Sequence, residues 1–269
     1  MAANATTLTG SAPMQGALWG AQARDWAEVQ EQTTLPLCVA ALDAAWVTRG
    51  THLLDAGCGA GLAALLAALR GAVVSAIDAS AQLVSITRER VPGHDIRQAY
   101  LESLPYDDAT FDAVIAINSV FYAADPAAAM RELARVVRPG GRVVATTWGP
   151  AERCEYAAVI TRLGALMPPL PGGKPGGPFA LAVPGALEAV MEAAGLHPVD
   201  RGEIACLFRY PDAETSLRGQ NASGVTQRAV GHSGEERVRA AIAEVDAQFT
   251  RPDGSIRYEN TFICVVAVR

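Results

Sequence analysis

The chain has 269 residues, half of them hydrophobic and 19% charged, which excludes a disordered protein and a small disulfide-stapled scaffold. Its 22 basic and 28 acidic side chains give a formal net charge of -6 with no Lys/Arg run, so nucleic acid is not an expected partner. The five cysteines, Cys38, Cys58, Cys154, Cys206 and Cys264, are too widely spaced for a paired metal or redox motif; no metal cluster is visible, and Ala113 to Ala124 is too short for the roughly 20 residues of a membrane span.

Met1 to Pro13 is small and polar and lacks the basic start and apolar core of a secretion signal, so a soluble, cytoplasmic chain is expected. Trp19, Ala23, Trp26 and Gln30 recur at helical spacing, which predicts a helix over Ala17 to Glu31, and a second follows over Leu35 to Thr48. From Thr51 short apolar runs alternate with helical segments. Strands are predicted at His52–Asp55, Ala72–Ile77, Ile96–Ala99, Ala113–Ile117 and Arg142–Thr147, with helices at Leu62–Leu69, Ala81–Arg90 and Pro126–Val137 between them. Asp125 can cap the last of these helices, Pro126 suits its first position, and Pro139-Gly140-Gly141 is expected to end it before the next strand. Right-handed crossovers make such a sheet parallel.

Nine of the eleven residues from Pro168 to Pro178 are Pro or Gly, so this stretch is a loop, either a surface connection or a lid over a pocket. A helix near Pro184–Ala194, a strand near Ile204–Phe208, a long helix near Glu235–Phe249 and a strand near Thr261–Val268 complete the chain. Arg251-Pro252-Asp253-Gly254 is a turn signal that could fold the last strand against an earlier one.

The chemistry concentrates after the first strand, where the chain runs into Asp55-Ala56-Gly57-Cys58-Gly59-Ala60-Gly61 and then directly into a helix. Alternate glycines allow a sharp turn and close approach of a ligand to bare backbone. A dinucleotide fingerprint G-x-G-x-x-G begun at Gly57 needs glycine at the position of Leu62, so the spacing does not suit a pyrophosphate. Asp78 ends the second strand, seventeen residues after Gly61, where a carboxylate can accept both hydroxyls of a ribose. A nucleoside without a diphosphate meets both facts; the bland alternative for Asp78 is a helix cap.

The run Leu53 to Gly61 resembles the first motif of class I S-adenosylmethionine-dependent methyltransferases. Leu101-Glu102-Ser103-Leu104-Pro105-Tyr106-Asp107-Asp108-Ala109-Thr110-Phe111-Asp112 and Arg131-Glu132-Leu133-Ala134-Arg135-Val136-Val137-Arg138-Pro139-Gly140-Gly141 resemble later segments of that family, in order. The resemblance covers about Thr51 to Trp148. It implies an α/β, Rossmann-like fold with a seven-stranded, mostly parallel sheet, helices on both faces and an antiparallel last strand. On this reading residues 1–50 form an N-terminal helical cap, residues 51–150 an S-adenosylmethionine-binding core, and residues 151–269 complete the sheet and carry substrate-cap elements.

The resemblance further implies S-adenosylmethionine as cofactor and S-adenosylhomocysteine as product. Gly57, Cys58, Gly59 and Gly61 would pass under the methionine portion, Asp55 would fix the loop or the amine, Asp78 would take the ribose, Ala79 would pack on the adenine, and Leu101 and Glu102 would line its pocket. Asn118, at the end of the fourth strand, stands where relatives place residues between cofactor and acceptor. Trp19 and Trp26 either pack the core or close over the cofactor. Tyr100 departs from the pattern, because relatives usually carry an acidic residue there. The expected reaction is methyl transfer to oxygen, nitrogen or carbon of a small organic acceptor, with Tyr122 and His232 as the candidate bases. The rivals are an S-adenosylmethionine-binding protein that moves no methyl and a nicotinamide-dependent oxidoreductase.

Overall fold

The structure, a computed structural model, describes residues 12–168 and 177–269. Most of the Pro/Gly-rich loop, with Lys174, and most of the polar N-terminus lie outside the described residues, so the question of a lid is not addressed by them.

The N-terminal region is α1 (Ala12–Gly20), α2 (Ala23–Asp25), one π turn (Trp26–Gln30), a 3-10 turn (Glu31–Thr34) and α3 (Leu35–Ala44). The single helix expected over Ala17 to Glu31 is therefore interrupted twice. Both glycines of α1 are buried, and a Cβ on Gly16 would sit 2.5 Å from the Ala79 carbonyl oxygen. Bare backbone lets α1 lie directly on the residues that follow the second strand.

Seven strands follow, threaded with helices: β1 (His52–Ala56), α4 (Leu62–Leu69), β2 (Val73–Asp78), α5 (Ala81–Arg90), β3 (Asp95–Gln98), β4 (Phe111–Ala116), α6 (Pro126–Val136), β5 (Val137–Trp148), α7 (Ala157–Gly164), α8 (Ala186–Ala193), β6 (His197–Tyr210), α9 (Ala213–Asn221), α10 (Gly224–Ser233), α11 (Glu235–Phe249) and β7 (Ile256–Val268). They form one sheet in the order β3-β2-β1-β4-β5-β7-β6. β1 to β5 pair in parallel, and β7 runs antiparallel between β5 and β6, as the resemblance implied. The strand order reverses at β1, and β1 and β4 diverge there to open a crevice beyond their carboxyl ends.

Neighbouring residues of β1 face opposite sides of the sheet. Leu53 packs with Leu42 of α3 and Ala64 of α4, and Leu54 with Leu133 of α6 and Leu187 of α8. A third cluster gathers Trp148, Tyr156, Phe208, Tyr258 and Phe262 under α7, α10 and α11.

Three expectations need correction. Pro139-Gly140-Gly141 does not separate helix from strand: Val137 already pairs with Phe111, and the register shifts before Arg142 pairs with Ala113, so the turn is a bulge inside β5. β6 is 14 residues long and not five, because its pairing with β7 carries polar residues such as Asp200 and Glu203 along the exposed edge. The last strand does fold antiparallel against earlier ones, β5 and β6, but the Arg251–Gly254 turn does not make that pairing: it joins α11 to β7, and α9, α10 and α11 lie between β6 and β7. Helices α7, α9 and α10 were not anticipated.

Candidate functional site

The glycine run is built by backbone conformations that side chains resist. Gly57, Gly59 and Gly61 have φ of 84°, 57° and 89°. The amides of Gly57 and Cys58 both donate to the Ile77 carbonyl at 2.8 Å, which hangs the turn from the end of β2. A Cβ on Gly57 would sit 2.4 Å from Ser119 Cβ and one on Gly61 2.6 Å from Thr87 Cγ2, so these two glycines let β4 and α5 close in from behind. Gly59 faces forward, toward the Trp26 indole, 3.3 Å from where its Cβ would be.

Asp78 holds this turn from the next strand. Its Oδ2 accepts from the Gly59 amide at 3.0 Å and its Oδ1 from the Ser80 amide at 2.8 Å. The cap of α5 is Ser80, whose hydroxyl accepts from the Leu83 amide, so the helix-cap reading of Asp78 falls away. Each carboxylate oxygen keeps a further lone pair, as two neighbouring hydroxyls require.

The charges around the turn are unbalanced. Burial, together with repulsion from Glu31 and Asp78, raises Asp55 to about 8, and burial raises Asp78 to about 6. Glu31 is also raised by burial, although Arg90 pulls the other way. The Arg90 guanidinium bonds Glu31, the Ala60 carbonyl at 2.8 Å and the Ala27 carbonyl at 2.9 Å, while Glu31 Oε1 accepts from the Leu62 amide at 3.3 Å. One buried ion pair thus bolts the π turn to the glycine run. The interruption of the N-terminal helix has its consequence here: it turns Trp26 over Gly59, with its buried Nε1–H lacking an acceptor among the described residues.

From this turn a crevice runs between the N-terminal segment and the third core cluster. Its outer half is lined by Gly57, Gly59, Asp78, Ala79, Leu101 and Glu102; its inner half by Ile117, Asn118, Tyr122, Trp148, Tyr156 and Phe208. Glu102 is steadied by the Ala124 amide at 2.8 Å. Asn118 has φ 51°, a left-handed conformation that asparagine tolerates better than most residues. Its backbone amide donates to Thr146 Oγ1 at 3.0 Å, and its Oδ1 accepts from the same hydroxyl at 3.1 Å, leaving the side-chain NH2 to donate elsewhere. In the inner half, Trp148 stacks on Tyr156 with centroids 5.9 Å apart and meets Phe262 at 4.5 Å.

The structure divides the candidate residues into three groups. Trp26, Gly57, Gly59, Asp78, Ala79, Leu101, Glu102, Asn118 and Tyr122 all line the crevice, with Tyr100 beside them. Asp55, Cys58 and Gly61 stand behind it. Asp55 is fully buried below the turn, facing the Ala64 amide, and the Cys58 thiol points to Thr87 Oγ1 at 3.7 Å, so these support the turn and their side chains do not reach the crevice. His232 is exposed in the last turn of α10 and is not among the residues that line the crevice, so the structure does not bring this candidate base to it. Burial pushes the Tyr122 phenol well up, so at neutral pH it stays protonated, a hydroxyl that can donate a hydrogen bond.

Two groups escaped the sequence reading. Glu31 and Arg90 are 59 residues apart and carry no motif. The aromatic wall draws Trp148, Tyr156, Phe208 and Phe262 from four elements with no common spacing. Only their apolar, strand-like neighbourhoods hinted at burial.

The geometry fits a nucleoside with an amino-acid tail: bare Gly59, a carboxylate that can meet a ribose, and an indole N–H that can meet a carboxylate. Residues 54–145 match the family model described as a methyltransferase domain. An uncharacterized protein of Mycobacterium tuberculosis is 30% identical over 155 residues, 56% of each chain. A malonyl-[acyl-carrier protein] O-methyltransferase of Serratia marcescens is 28% identical over 203 residues, 74% of each. The chain thus spans about half the length of the first of these curated relatives. A geranyl diphosphate C-methyltransferase from Streptomyces coelicolor, solved with S-adenosyl-L-homocysteine, shares the fold at a TM-score of 0.51 and 18% identity, covering 87% of this chain and 75% of that one.

Proposed function

We propose, from the premise that residues 54–145 are a methyltransferase domain of the class I S-adenosylmethionine-dependent type, that this chain moves a methyl group from S-adenosylmethionine to a small organic acceptor. The observation that carries the reading is the continuity of one crevice, from a glycine turn and ribose-type carboxylate at its outer half to an aromatic chamber at its inner half.

In this assignment Asp78 accepts from the ribose hydroxyls, Gly57 and Gly59 let the amino-acid tail lie on the backbone, and Trp26 donates its free indole N–H to the tail carboxylate. Ala79, Leu101 and Glu102 border the base. When bound, the cofactor supplies a methyl group on a positively charged sulfur. The protein's share is alignment and dryness: holding an acceptor in line can supply about 7–11 kcal/mol of a barrier of this kind. Asn118 and Tyr122, between the two halves, are placed to donate to the acceptor and fix its attacking atom. The N-terminal turns and the aromatic wall exclude water from the line of transfer.

Calorimetric titration with S-adenosylhomocysteine tests the first step. We expect binding that weakens by about 10–100-fold in Asp78→Asn, the loss of one or two hydrogen bonds to a charged acceptor. No binding to the parent protein, or equal binding to the variant, would overturn the assignment. Mass spectrometry of an acceptor incubated with S-adenosylmethionine tests the second step. A product heavier by one CH2, formed together with S-adenosylhomocysteine, is the expected result; cofactor binding without that gain would make the chain a binder that moves no methyl.

A further inference from the structure

Two carboxylates, Asp78 and Glu102, are the charged side chains among the described residues that line the crevice, and both belong to its outer half. The inner half contains no lysine, arginine or histidine among those residues. Its wall is made of rings: Trp148 and Tyr156 lie nearly parallel at 8°, and Phe208 meets Tyr156 edge-on with centroids 5.3 Å apart. Ile160 and Leu163 of α7 continue the wall. Where this chamber joins the outer half stands Asn118, its carbonyl end tied to Thr146 and its NH2 end left to donate.

From this distribution of charge we propose that the acceptor is an uncharged, flat aromatic compound carrying a hydroxyl, with its ring against Trp148 and Tyr156 and its oxygen held by the Asn118 side-chain NH2. The proposal rests on the methyltransferase reading above and adds the acceptor's chemical class. A carboxylate, phosphate or diphosphate deep in the chamber would find no cation among the described residues to meet it, and an ammonium there no carboxylate among them, so either would lose its hydration without replacement. A flat neutral ring loses little on leaving water and gains contacts with Trp148 and Tyr156, which Phe208 and Phe262 back from the core.

The same distribution explains how a hydroxyl could react without a dedicated base. The hydroxyl proton leaves to water, and the resulting oxyanion faces the positive sulfonium that the cofactor would supply. A lone pair of that oxygen forms the new O–C bond while the C–S bond breaks, its electron pair returning to sulfur. The oxyanion and the sulfonium both become neutral. Two opposite charges thus meet where the chamber joins the outer half and cancel in the transfer, which suits an apolar wall.

Three probes on one bicyclic frame test the proposal: 2-naphthol, 2-naphthoate and 2-naphthylmethylammonium, titrated by calorimetry into the full chain saturated with S-adenosylhomocysteine. We expect 2-naphthol to bind at least about tenfold more tightly than either ion. Asn118→Ala should remove the preference for 2-naphthol over naphthalene. Ile160 is half-buried, so Ile160→Lys can extend its ammonium toward the chamber, and it should shift the preference toward 2-naphthoate. Binding of 2-naphthoate by the parent protein as tight as that of 2-naphthol would overturn the proposal, as would an unchanged preference in Asn118→Ala. Binding of S-adenosylhomocysteine with no affinity for any of the three probes would overturn the acceptor class and leave the methyltransferase reading standing. Failure to bind S-adenosylhomocysteine would overturn both.

Discussion

The two halves of the crevice are built on opposite principles. The outer half is mostly backbone, contributed by residues close in sequence: a turn of seven residues, one carboxylate at the end of the next strand, and two short segments after β3 and β4. Its polar groups are held by main-chain amides, and its carboxylates are poorly compensated for their burial. The inner half is mostly side chain, collected from the segment after β4, from β5, the start of α7, β6 and β7, and its groups interact mainly by packing. The difference teaches where each kind of stability comes from. The outer half spends conformational and electrostatic free energy to create a site, whereas the inner half is part of the core.

Phe208→Ala is the hardest test of that contrast. The side chain is 2% exposed and touches Trp148, Tyr156 and Phe262, so its removal should lower unfolding stability by about 3–5 kcal/mol. If the inner half is core, chemical denaturation will show that loss while S-adenosylhomocysteine affinity, measured on the folded fraction, changes less than about threefold. A large loss of affinity with stability intact would erase the distinction between the halves.

That distinction also governs what could be read without a structure. β1, α4, α5 and the places of Gly57, Gly59, Asp78 and Asn118 along the crevice were legible because the turn, the strand ends and the caps impose local residue choices at short spacing. The positions of Asp55, Cys58 and Gly61 behind the turn were not, since periodicity does not say which face of a tight bend meets the ligand. The exposed position of His232 was not legible, because a histidine in a polar C-terminal segment gives no sign of which way that segment faces. The full length of β6 was hidden because an edge strand needs apolar residues on one face only. The aromatic wall depends on pairing β7 between β5 and β6, and a pairing order leaves no mark on any single segment.

Arg90→Met probes the joint between the N-terminal segment and the glycine turn. The variant leaves the Glu31 carboxylate buried without its cation and two carbonyls without a donor. A stability loss of about 3 kcal/mol is expected, together with weaker cofactor binding, because Trp26 is held over Gly59 by the same joint. Arg90→Met combined with Glu31→Gln should recover a substantial part of the stability. No recovery would mean that Arg90 acts through its carbonyl contacts and not through the ion pair.

Asp78 should set the acid limb of cofactor binding, with an effect of about 2 kcal/mol for its loss. Its carboxyl is raised to about 6, and ribose hydroxyls bind the ionised form better. Affinity for S-adenosylhomocysteine should therefore be full above about pH 6 and fall as pH drops through that value. Isothermal titration between pH 5 and 7.5 will show the limb, and Asp78→Asn should flatten it. A limb retained in the variant would assign the titration to another group.

The smallest expected effect concerns Asp55, and it reads out the electrostatic load of the outer half directly. This carboxyl is raised to about 8 in the folded chain, from an ordinary value near 3.8, by burial and by the neighbouring Glu31 and Asp78. Between those two values the folded chain keeps a proton that the unfolded chain has released, so stability should decline as pH rises from about 4 to about 8. Asn cannot ionise, and Asp55→Asn should remove that decline, gaining at least about 1 kcal/mol over the parent at pH 8 relative to pH 5, the free energy of somewhat less than one unit of pKa change. Urea unfolding of both proteins at the two pH values measures it. Parallel stability profiles would mean that Asp55 is compensated in the folded chain, and the cost of building the outer half would then have to lie in Glu31 and Asp78 alone.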